Sequence, residues 1–149
     1  MIVLDASAVV AVLVGPSPGA ERLREKVEGP GESLHVPHVM DLEVLHALRR
    51  QTLLGTLSRE RGAEALEDLK NIAFVRYPHA SLADRIWKLK DNLTAYDAAY
   101  VALAEALDAP LVTLDARLAR APASAPRSRS TGRRRDSPEG APNRTLSLR

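Results

Sequence analysis

"LTAYDAAYVALAEALDAPLVTLD" occupies residues 93–115 and holds a complete helix-to-strand unit. Its first part spaces small and apolar residues for a helix, with Thr94 placed as an N-cap and Asp97 three positions later. Its last part, Leu111-Val112-Thr113-Leu114, is a β-prone run that ends on an acid, Asp115. A helix feeding directly into a strand is half of an α/β repeat.

The rest of the chain repeats the alternation. "MIVLDASAVV" opens with a short strand, Ile2–Leu4, then Asp5, then a helix over Ala6–Val14 that Gly15-Pro16 stops. Residues 19–28 read as an amphipathic helix closed by Gly29-Pro30-Gly31, and Leu34–Pro37 as a strand. Val39, Leu42, Leu45, Leu48 and Leu53 then keep roughly helical spacing up to Gly55. Residues 58–71 form a helix started by Ser58, residues 72–77 a strand, and residues 81–91 a short amphipathic helix with Trp87 in the core. Strands alternating with helices predict an α/β fold on a mainly parallel sheet.

Composition supports one domain. The 149 residues are 45% apolar, which suits a single globular core. There is no cysteine, which excludes disulfide, zinc-thiolate and thiol chemistry and suits a reducing, cytoplasmic setting. Neither a signal peptide nor a membrane helix is expected, because the longest apolar run, Ala8 to Val14, falls far short of a span. Charge is divided unevenly. Seven arginines follow Pro122 against only Asp136 and Glu139, leaving 14 basic and 17 acidic residues before it. The domain is therefore expected over residues 1–121, followed by a disordered Arg/Ser/Pro-rich tail over 122–149.

Four acids stand where bland roles explain them singly but not together. Asp5 and Asp115 follow strands, and ligands of open α/β sheets bind beyond the carboxyl ends of strands. Glu43 and Asp97 interrupt apolar helical stretches. Read singly, Asp97 completes a capping box, Asp5 and Asp115 cap the following helices, and Glu43 is a solvated helix residue. Read together, they share one rim. Carboxylates about 4 Å apart repel by roughly 4 kcal/mol at an effective dielectric near 20, so such a cluster calls for a cation. Oxygen ligands without Cys or a His pair favour Mg²⁺ or Mn²⁺, whose chemistry suits phosphodiester hydrolysis. Ser7 and Thr113 stand two residues from Asp5 and Asp115, placed to hold a metal-bound water or a phosphate.

The segments "MIVLDASAVV", "VPHVMDLEVLHALRR" and "LTAYDAAYVALAEALDAPLVTLDARLA" together resemble PIN-domain ribonucleases of the VapC toxin type. The resemblance implies a three-layer α/β/α sandwich around a mainly parallel sheet of four to five strands. It maps Asp5, Glu43, Asp97 and Asp115 onto the family's acidic positions, with Asp5 and Asp97 as principal ligands of Mg²⁺ or Mn²⁺. It also implies RNA as substrate, a cognate antitoxin as partner, a homodimer, no membrane, and DNA contacted only through the antitoxin. Arg49, Arg50, Arg117 and Arg120 are candidates for RNA contact. The tail departs from the family, which ends on an apolar edge strand. That departure keeps a second reading open: an impaired toxin-like protein that only binds its antitoxin. An aspartyl-nucleophile phosphatase is a third, disfavoured because Ser7 stands where that chemistry wants a second acid.

Overall fold

The chain begins in the middle of its own sheet. β1 (Ile2–Leu4) is buried at every residue, as a strand covered on both faces must be. The computed structural model describes residues 1–15, 18–29 and 31–120. Parallel neighbours flank β1 on each side: β2 (Leu34–Pro37), which β3 (Phe74–Tyr77) extends, and β4 (Leu111–Val112). The order is β3-β2-β1-β4, with Val3 opposite both His35 and Leu111.

Alternation along β1 separates two helical layers. Ile2 and Leu4 join the core built by α1 (Ala6–Val14), α3 (Val39–Leu53) and α4 (Arg59–Asn71), while Val3 faces Ala102 and Leu103 of α6 (Ala95–Leu107). α2 (Pro18–Glu28) packs against α1, and α5 (Ala83–Lys88) against α6. The three-layer α/β arrangement is the expected one. Alanines carry much of the inner face of α6, and Ala98, Ala99 and Ala102 are almost wholly buried, so its backbone lies close to the sheet.

The helix boundaries follow local chemistry. Ser58 accepts the Arg61 N–H at 3.1 Å to start α4, and Thr94 accepts the Asp97 N–H at 3.1 Å to start α6. Gly55 takes φ +72° just after α3, where a side chain would be strained. Asp108 ends α6 in the left-handed region, which Asp tolerates better than most residues. The carbonyl end of α1 is clamped by two arginines. Arg24 of α2 donates to the Val12 carbonyl at 3.1 and 2.6 Å, and Arg61 of α4 donates to that of Leu13. Cations there complement the helix dipole.

Three expectations change in detail. The 81–91 helix is divided into a 3-10 turn (His79–Leu82) and the six-residue α5. The strand expected over 111–114 pairs only through Val112, because Thr113 turns away to bond side chains. Trp87 is 70% exposed rather than core, since Leu82, Ile86 and Leu89 form the inward stripe and Trp87 falls beside it. The tail expected at 122–149 and the domain boundary at residue 121 lie outside the described residues.

Candidate active site

Asp5 follows the last residue of β1 and caps α1, its Oδ1 accepting the Ala8 N–H at 2.9 Å. The residue is only 5% exposed, and hydroxyls meet its two oxygens from both sides. The Ser7 hydroxyl lies 2.8 and 2.9 Å from its two oxygens, and Thr113 donates to Oδ2 at 2.7 Å. Ser7 Oγ also accepts the Leu114 N–H at 2.9 Å, and Thr113 Oγ1 accepts that of Asp115 at 2.9 Å. Two hydroxyls thus rivet the end of β4 to the end of β1.

Asp115 reaches the rim through that rivet, but its carboxylate is committed elsewhere. Oδ1 accepts the Arg117 N–H at 2.7 Å and Oδ2 stands 3.4 Å from the Arg117 guanidinium. The backbone bond, then the side chain of Arg117, hold the Asp115 carboxyl below its ordinary range. Arg117, named above as an RNA contact, is therefore a partner of Asp115.

Glu43 and Asp97 come from α3 and α6. Asp97 completes the capping box, since the Thr94 hydroxyl that accepts its N–H donates to its Oδ2 at 2.9 Å. The capping role uses only one carboxylate oxygen, and no described residue bonds Oδ1. Glu43 is partly buried and accepts the Tyr100 hydroxyl at 2.5 Å. Burial pushes the Glu43 carboxyl up; the Tyr100 bond opposes that, and the charges of Asp97 and Asp5 push it further. Burial, then the bond to Glu43, drive the Tyr100 hydroxyl upward too, so it stays a donor.

Tyr100 is a site residue that the sequence reading missed. It lies one turn after Tyr96 and three residues after Asp97, a polar-tipped ring in a helix of alanines, and that contrast was the available signal. Asp41 does point elsewhere, pairing with Arg76 at 2.7 Å.

The structure thus brings Asp5 and Asp97 within electrostatic reach of Glu43 and ties Asp115 to Asp5 through Thr113. Among the described residues, no cation pairs with Asp5, Glu43 or Asp97, and no three His or acidic side chains stand close enough to grip one ion together. The donor chemistry fits a hard divalent cation: oxygen atoms only, surplus negative charge, and uncommitted oxygens on Glu43 and Asp97.

The family model for the PIN domain matches residues 2–124. The chain belongs to the PIN-domain family. Its relatives place this PIN domain among proteins of the VapC type. It is 48% identical over 122 residues to ribonuclease VapC1 of Mycobacterium tuberculosis, covering 80% of this chain and 90% of the relative. It is 44% identical over 118 residues to ribonuclease VapC9 of the same organism, covering 79% and 88%. Solved structures share the fold. VapC20 of M. tuberculosis, a toxin that cleaves the sarcin-ricin loop, superposes with a TM-score of 0.62 at 12% identity, covering 80% of this chain and 93% of that one. PAE2754 of Pyrobaculum aerophilum gives 0.59 at 24% identity, covering 78% and 76%.

Proposed function

We propose that this PIN domain is a divalent-metal-dependent endoribonuclease toxin, restrained by a cognate antitoxin and acting as a homodimer. The observation that supports it most is electrostatic. At the carboxyl rim of a parallel sheet Glu43 feels the charges of Asp97 and Asp5, and its carboxyl is pushed up by burial first and by those two charges after it. A protein keeps such an arrangement where a cation repays it. The names of the VapC relatives support RNA as the substrate and an antitoxin as the partner.

Asp5 and Asp97 are the principal ligands in this reading, and Glu43 and Asp115 complete the set. A bound Mg²⁺ or Mn²⁺ supplies Lewis acidity, neutralises phosphate charge and lowers the pKa of a water. The chain's own residues supply position. Asp97 presents its uncommitted Oδ1 from a capped helix start, and Tyr100 keeps the Glu43 carboxylate from swinging away. Asp5, whose oxygens are filled by Ser7, Ala8 and Thr113, joins by releasing a hydroxyl or through water. Ser7 and Thr113 set the distance between the ends of β1 and β4.

Cleavage of total RNA by the purified chain in Mg²⁺ or Mn²⁺, with an EDTA control and Asp97→Asn alongside, tests the reading. Metal-dependent cleavage that the substitution removes is expected, with helix content unchanged because Asn retains the Thr94 contact. Cleavage by Asp97→Asn at the wild-type rate overturns the site assignment, and cleavage unaffected by EDTA overturns the metal.

A further inference from the structure

Beside the acid rim lies a groove of about 490 Å³ whose lining includes Val39, His79, Ile86, Trp87, Tyr96 and Ala99. Two of its rings are open to water: Trp87 is 70% exposed and Tyr96 62%. Large aromatic rings left in solvent around one concavity mark a contact surface. His79 is fixed in the wall, its Nε2 accepting the Val39 N–H at 3.1 Å. A charge attends the most open ring, with Lys90 Nζ 5.6 Å from the Trp87 centroid and shared with the exposed Asp91 at 3.3 Å.

The groove and the acids lie along the same two helices. Val39 and Glu43 are four residues apart on α3, and Tyr96 and Tyr100 are four apart on α6, so each pair shares a face. Glu43 and Tyr100, which bond each other, therefore each stand about one helical turn along the axis from a residue that lines the groove. Asp97 follows Tyr96 directly. Flat exposed rings, a cation near the face of one of them and acids about one turn away form the pattern that suits single-stranded nucleic acid: a stacking platform, a phosphate contact and a reaction site.

We infer that this groove is a stacking subsite for one unpaired nucleobase of a single-stranded RNA, lying against Trp87 and Tyr96 with Lys90 at the neighbouring phosphate. The inference rests on the ribonuclease reading and adds to it how a strand is held beside the acids. Base stacking tolerates any sequence, so the subsite selects for unpaired structure rather than for a particular base.

Trp87 is the only tryptophan in the chain, so its emission reports this groove alone. In the full chain carrying Asp97→Asn, with Mg²⁺ present, a six-nucleotide single-stranded oligoadenylate is expected to quench that emission saturably. The same length of duplex RNA is expected to leave it unchanged. Affinity of the labelled strand, read by anisotropy, is expected to fall about tenfold for Trp87→Ala and to stay within about threefold for Trp87→Phe. Unchanged affinity in Trp87→Ala, equal quenching by duplex, or emission that shifts with chain concentration alone overturns the subsite, the last by showing a second copy seated there. Metal-dependent cleavage by the wild-type chain alongside any of these leaves the ribonuclease reading standing. Stacking on Trp87 in a wild-type chain that cleaves no RNA under any divalent ion overturns that reading and keeps the subsite.

Discussion

Two parts of the rim treat carboxylates in opposite ways. At the β1–β4 corner, both oxygens of Asp5 are filled by protein donors, and Asp115 is held by Arg117. On the α3–α6 face, Glu43 and Asp97 each take a single hydroxyl and confront each other's charge. A saturated carboxylate behaves as a structural joint, since its hydrogen bonds fix geometry and disperse its charge. An underbonded one keeps acceptor capacity for something from outside. The corner supplies the frame, and the face carries the uncommitted acceptors.

The largest expected effect tests the face. Asp97→Asn lowers RNA cleavage by about 100-fold or more while the melting temperature changes little, measured on the same preparation by gel assay and calorimetry. Next comes the corner. Asp5→Ala removes a helix cap and strands two hydroxyls, so it destabilises by about 3 kcal/mol in urea unfolding. If Asp97→Asn costs more stability than Asp5→Ala, the division between the two parts is wrong. Smaller still, Tyr100→Phe costs about 1–2 kcal/mol and lets the Glu43 carboxyl titrate higher than in the wild type, because the bond that opposes the effect of burial is gone. Carbon-13 NMR of the Glu43 carboxyl reads this directly.

The smallest effect lies away from the rim, at His35. Burial, then the positive N-terminal amine, lower its pKa below the ordinary 6.5, while Tyr77 at 2.8 Å and Ser33 at 2.9 Å bond its ring. The unfolded chain binds that proton more readily, so His35 contributes stability above about pH 6.5 that is lost as pH falls. Thermal unfolding between pH 7 and pH 5 should show a drop that His35→Gln lessens. A drop unchanged in the variant places the acid sensitivity elsewhere.

Much of this was legible in the sequence, and the misses have physical reasons. Element order was readable because strands and helices announce themselves by period, and Thr94 and Ser58 by capping chemistry. Asp5, Glu43 and Asp97 were identifiable as acids in apolar settings. Trp87 misled because apolarity alone was read; the stripe of Leu82, Ile86 and Leu89 already assigned the inward face. β4 was read too long because Thr113 is β-branched, and nothing local reveals that its hydroxyl is needed by an Asp 108 residues earlier. Tyr100 was missed for a related reason, since its partner Glu43 lies 57 residues away. Local chemistry is written locally, and the wiring of the rim is not.

That distance has a consequence for how the protein comes into being. β1 is made long before β4, and one of its two edges stays unpaired until β4 arrives, with Val3 N–H waiting for the Pro110 carbonyl and Asp5 N–H for that of Val112. Contacts of such long sequence separation form late and slowly. The rim is therefore assembled only after β4 has been made. Chains interrupted before Leu111 are expected to be open at β1, which limited proteolysis reads, and inert toward RNA. Topology acts here as a timer, since the rim cannot close before β4 is in place.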